Sequence, residues 1–204
     1  MNVQEFLPAY ADVPAPSTSV LEKILATRQT TCFGFWEVEK SNGAHESGLI
    51  LTTKPGQETA RLFLMRGLEE IAESFDSHEE LHRQEELIDA FNFFFNITAF
   101  DEFHPDARQA LALGMSMASE VPHKSQPIDF NVLMAHLHPF LEKLRNRVWQ
   151  QSVQSTYWDG LGVTQVMLLH IYRSILASIG GWNVFYPLFY AKDDVLQFRL
   201  RSNY

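Results

Sequence analysis

Wound as a helix, residues 163–179 are apolar around almost their whole circumference, and this limits what the chain can fold into. Such a helix has no polar face to offer to water, so other elements must enclose it. It contains His170 and Arg173 and is short for a bilayer, which makes it a buried helix of a globular protein rather than a membrane span. The chain has 204 residues, 46% hydrophobic and 20% charged, enough to build the enclosing core and too apolar for wholesale disorder. The one polar wedge on this helix, His170, Arg173 and Ser174, must be satisfied internally or line a cavity.

The remaining segments are candidates for the enclosure. Pro14 and Pro16 make the stretch before Ser19 an extended segment, so residues 1–19 form an N-terminal extension and residues 20–204 one domain. Ser19 and Glu22 have the spacing of a capping box, which starts a helix at Val20 and carries it to about Arg28. Thr30 to Glu39 is then rich in Thr, Phe, Trp and Val and reads as a strand. Ser41-Asn42-Gly43 supplies a turn, Gly48 to Thr53 a second strand, and Lys54-Pro55-Gly56-Gln57 a type II turn. Thr59 to Met65 completes a meander, with a helix from Thr59 as the alternative.

Helical patterning follows. Ser77 and Glu80 form a second capping box, opening a helix that reaches Ala99. Pro105 begins another that ends near Ser119, and residues 121–127 form a loop. Pro127 opens a helix that Pro139 interrupts. Gly180-Gly181 ends the apolar helix. Trp182–Tyr190 and Val195–Arg201 read as a hairpin joined through Lys192-Asp193-Asp194. The predicted fold is a single α+β domain: a helix-rich centre, an N-terminal three-stranded antiparallel meander and a C-terminal β-hairpin.

Charge is distributed unevenly. Between Gly67 and Ala90 lie nine acids and one base, a net −8 against −9 for the whole chain. A concentrated negative field steers basic partners and repels nucleic acid. Lys143, Arg145 and Arg147 form the one basic cluster, too small for a nucleic-acid footprint. The acidic segment also contains His78-Glu79-Glu80-Leu81-His82, the H-E-x-x-H spacing with which two histidines on one helix face hold zinc. On a helical wheel that face lies roughly 140° from the apolar stripe of Leu81, Ile88, Phe91 and Phe95, so it is expected in solvent. His78, His82 and Glu85 still converge at helical spacing and are the candidate metal ligands. Phe93, on the same face, is a candidate apolar anchor.

Cys32 is the only cysteine, which excludes an intramolecular disulfide and fits a reducing compartment. Its strand position beside Phe33 and Phe35 makes it a small core residue. Residues 1–10 carry no Lys or Arg, unlike a secretory signal, so the cytoplasm is the expected location. The functional expectation is a non-enzymatic protein-binding or inhibitory protein, of the antitoxin, immunity or adaptor kind. Glu79, Glu86 and Asp89 would steer a basic protein partner, with Phe93 as anchor, and no cofactor, membrane or nucleic acid is involved. One alternative is a metal-dependent hydrolase holding zinc through the HEELH segment. Another is a small-ligand-binding sensory domain that uses His170, Arg173 and Ser174.

Overall fold

The computed structural model describes residues 2–41, 49–51, 53–100, 103, 105–120, 127–143 and 161–202. Among them are seven α-helices and no strand. They are α1 (Thr18–Ser41), α2 (Lys54–Asp76), α3 (Glu80–Phe95), α4 (Pro105–Ser119), α5 (Phe130–Lys143), α6 (Leu161–Ile179) and α7 (Trp182–Arg201). A 3-10 turn, Asn96–Ala99, extends α3, and two more, Val3–Glu5 and Leu7–Tyr10, precede α1.

The fold is therefore all-helical, and the α+β expectation is corrected at both ends of the chain. The expected first strand, Thr30–Glu39, is the second half of α1. Leu21, Ile24, Leu25, Arg28, Thr31 and Cys32 are all buried, and their spacing of three and four is that of one helix face. β-branched and aromatic residues disfavour a helix by only a few tenths of a kcal/mol each, less than the burial of that face returns. The threonines also find partners: the Thr30 hydroxyl donates to the Ala26 carbonyl at 2.9 Å, and that of Thr31 to Asp193 Oδ1 at 2.6 Å.

Lys54-Pro55-Gly56-Gln57 is not a hairpin turn but the first turn of α2, which runs on through the expected third strand. The Thr53 hydroxyl accepts from the Gly56 amide at 3.1 Å, and Pro55 stands where its missing N–H costs nothing. Of the second expected strand, residues 49–51 and 53 are described and are not strand; Gly48 and Thr52 lie outside the described residues, as do Asn42 and Gly43. At the other end, the expected hairpin is the continuous helix α7. Trp182, Phe185, Leu188, Phe189 and Val195 form its buried face. Asp193 and Asp194, read as turn residues, are held instead by Thr31 and by the Tyr10 hydroxyl, which donates to Asp194 at 2.6 Å. Those partners are remote in sequence, which is why local turn chemistry misled.

α6 occupies the enclosed position its composition demands, touching α3, α4, α5 and α7. Met167, Leu168, Ile171, Tyr172, Ile175 and Leu176 are buried. α3 is enclosed as well, packing on α2, α6, α7 and α1. Its Phe91 stacks on Phe95 with ring centroids 4.2 Å apart and meets Phe185 of α7 edge-on at 4.9 Å. Gly180 and Gly181, both at positive φ, turn the chain between α6 and α7. Pro139 sits within α5 without dividing it. No helix among the described residues is long and apolar enough to cross a membrane.

Candidate functional site

Four helices leave a partly enclosed cavity of about 430 Å³ where they meet. α1 lines it with Arg28, Cys32, Phe35 and Trp36, which are one or two turns apart on the buried face. α3 brings Asp89, Asn92, Phe93 and Asn96 at the same helical spacing. Phe63 and Glu70 come from α2, two turns apart, and Leu196 and Arg199 from α7. Half-buried aromatic rings thus form one part of the wall and buried polar groups another.

The polar groups are the unusual part. Arg28 is 3% exposed, Asn92 5% and Asn96 6%. Yet Arg28 Nε, both amide atoms of Asn92 and Asn96 Oδ1 have no hydrogen-bond partner. A buried polar group without a partner costs about 1–3 kcal/mol, and three such residues lie around this one cavity. Burial holds the Arg28 guanidinium below its ordinary value, while Cys32, Asp193 and Asp89 act the other way.

The carboxylates of the site are handled differently. Asp89 Oδ2 meets Lys192 Nζ at 2.8 Å, and Glu85 lies 3.7 Å from the same ammonium. Burial pushes the Asp89 carboxyl up and Lys192 pulls against it. Burial works against the Lys192 ammonium, but Asp89, Glu85 and Glu86 together hold its proton above the usual lysine value. Glu70 is pushed up to about 8, by burial first and then by its hydrogen bond to Glu86. At neutral pH it therefore carries a proton and offers a donor.

Ligating oxygens of Glu70, Glu73 and Glu86 lie within 4.8 Å of one another, the one such grouping of three among the described residues. An all-oxygen set suits a hard cation such as Mg²⁺ or Ca²⁺, and here a proton between Glu70 and Glu86 relieves the same repulsion.

The residues singled out from the sequence are dispersed. His78 and Glu79 precede α3, which begins at Glu80 without a side-chain cap, because the Ser77 hydroxyl donates to the Glu79 carbonyl instead. His82 pairs with Glu86 at 3.1 Å and Glu85 turns to Lys192, so His78, His82 and Glu85 do not assemble. The two histidines border only a shallow groove with Glu73 and Asp76. Of the steering set, Glu79 is exposed, Glu86 is 8% exposed, Asp89 is ion-paired and Phe93 lines the cavity. The wheel placed this face in solvent, and His78 and His82 are exposed; further along the helix α2 and α7 cover Glu86, Asp89, Asn92 and Phe93 to differing degrees. Arg83 is not a surface charge either: it donates to the Ser178 carbonyl near the end of α6 at 3.2 Å.

The wedge on α6 is likewise resolved into separate contacts. His170 stacks flat on His136 of α5 at 3.8 Å, its proton affinity lowered by burial and then by His136 and Arg173. Ser174 donates to the His170 carbonyl at 3.0 Å, and Arg173 is exposed. None of them lines the cavity. His138 faces Glu142 at 3.9 Å. Arg145 and Arg147, and the side chain of Lys143, lie outside the described residues.

Arg28, Asn92 and Asn96 were missed because each was read for its local segment. A legible signal was present: polar residues at buried helical positions, Arg28 continuing the Leu21–Ile24–Leu25 stripe and Asn92 and Asn96 set one turn apart around the phenylalanine run. Cys32 was called core, and it is buried; the helix adds that Arg28 lies one turn away.

Fold and site together define an all-helical protein with an interhelical cavity of mixed aromatic and polar lining. Compared with known proteins, the chain significantly matches no family model, no curated protein and no solved structure.

Proposed function

We propose that this protein binds a small organic ligand in the cavity between α1, α2, α3 and α7. The supporting observation is the group of unpaired buried polar atoms on Arg28, Asn92 and Asn96 in a cavity also lined by aromatic rings. Few well-placed polar groups in a largely apolar concavity of about 300–1,000 Å³ is the usual composition of a small-molecule site. A cytoplasmic setting accords with the single buried Cys32.

The first test is Asn92→Leu. If the amide is held for a ligand, removing it relieves an unsatisfied group, and the empty protein gains about 1–2 kcal/mol, roughly 2–6 °C in melting temperature. Native mass spectrometry of protein incubated with cell extract then shows a bound small molecule on wild type and none on the variant. A loss of stability in Asn92→Leu, together with no adduct on either protein, overturns the proposal.

A further inference from the structure

We infer that the ligand of this cavity carries an anionic group on a planar, largely apolar body, with Arg28 receiving the anion. This rests on the cavity being a ligand site and adds the ligand's chemical class.

Several charged groups around the cavity already have partners, and a few buried polar atoms do not. Two acids and two bases line it: Glu70, Asp89, Arg28 and Arg199. Asp89 is spoken for by Lys192 at 2.8 Å. Glu70 is hydrogen-bonded to Glu86, an arrangement two carboxylates adopt only with a proton between them. Asp193 accepts the Thr31 hydroxyl at 2.6 Å and, with Asp89, still acts on the Arg28 charge. Arg28 remains, 97% removed from solvent and with Nε unbonded, and Arg199 stands exposed at the rim. What the cavity leaves open is a buried guanidinium donor, Arg28 Nε, which a charged acceptor would complete.

A buried guanidinium with Nε unbonded is completed by an acceptor, and its planar fork matches a carboxylate or similar oxyanion. Asn92 leaves both a donor and an acceptor unpaired, and Asn96 an acceptor, so the ligand also presents a polar N–H or O–H beside the anion. Phe35, Trp36, Phe63 and Phe93 supply faces and edges for a flat body. A cationic ligand would meet Arg28 with like charge.

The probes are 8-anilinonaphthalene-1-sulfonate and N-phenyl-1-naphthylamine, which share their rings and differ by the sulfonate. Both report entry into an apolar site by fluorescence. Wild type should bind the sulfonate at one site and at least about tenfold more tightly than Arg28→Met does, since a charge-assisted contact is lost. The uncharged amine should bind both proteins alike. As a check that needs no variant, naphthalene-2-carboxylate should displace the amine from wild type at a concentration at least about tenfold lower than naphthalene-2-carboxamide. Equal potency of these two competitors, or a sulfonate affinity unchanged in Arg28→Met, sinks the anion inference and leaves the ligand site standing. If neither fluorescent probe enters wild type, the ligand-site reading falls with it.

Discussion

Lys192 and Asp89 show how tightly the residues around the cavity depend on one another. Their contact is 2.8 Å long, with the ammonium 12% and the carboxylate 23% exposed. Removing one member leaves the other charge uncompensated, so Lys192→Met should cost about 3–5 kcal/mol in urea unfolding. Adding Asp89→Asn to that variant should recover a good part of the loss. No recovery would mean that the ion pair is not what Lys192 contributes. Glu70 gives a pH dependence. Its folded pKa stands at about 8 against an ordinary 4.5. Between those values the folded protein keeps a proton that the unfolded chain has released, so this group's contribution to stability falls as pH rises through the window. Wild type should lose stability relative to Glu70→Gln between about pH 5 and about pH 8.5, measured by denaturant midpoints. His170, whose proton affinity is lowered in the fold, contributes with the opposite sign, and comparison with the Gln variant removes it. Parallel curves for the two proteins would show that Glu70 titrates normally.

Among the elements, two glycines separate close packing from mere permissiveness. A Cβ on Gly67 of α2 would lie 2.8 Å from the Phe94 ring of α3, which is wholly buried and has nowhere to move. A Cβ on Gly34 of α1 would meet only the tip of Leu200, at 2.9 Å, on a half-buried side chain near the end of α7. Gly67→Ala should therefore destabilise by about 1–3 kcal/mol through overpacking. Gly34→Ala should be neutral or gain up to about 1 kcal/mol from helix propensity. Thermal unfolding of both variants decides this, and equal effects would remove the distinction. The same contrast explains what was legible from sequence. Pro105 and the Gly180-Gly181 stop are local signals, and the helices follow them; the helix expected after Ser77 also forms, though it starts at Glu80 without the expected cap and gives way to a 3-10 turn at Asn96. Thr30–Glu39 and Asp193-Asp194 misled because Thr31 pairs with Asp193 across α1 and α7, and Asp194 with Tyr10 of the N-terminal extension, pairings no local window contains. The cavity was hidden for that reason: its polar residues stand on four helices, and the wheel for α3 could not know that α2 and α7 cover the Glu86–Phe93 end of its charged side.

At the scale of the molecule, the extension before α1 is a strap on the last helix rather than a loose lead. Tyr10 bonds to Asp194 and stacks on Tyr190 at 5.3 Å, and the Trp182 indole donates to the Pro14 carbonyl at 2.7 Å. The strap, α1 and α7 thus form one corner of the protein, and the cavity draws Arg28 from α1 and Arg199 from α7. That wiring has a consequence for biosynthesis. On the ribosome, α1 emerges with one wall of the cavity long before α7 exists, so its buried face, Arg28 included, must wait while α2 to α6 are made. A compound held there would need α7 in place, so α1 to α6 alone would not capture it. Because such a compound would bridge α1 and α7, its grip should slow the escape of α7 far more than it hastens the chain's collapse, and occupancy would set a clock on the lifetime of the folded molecule.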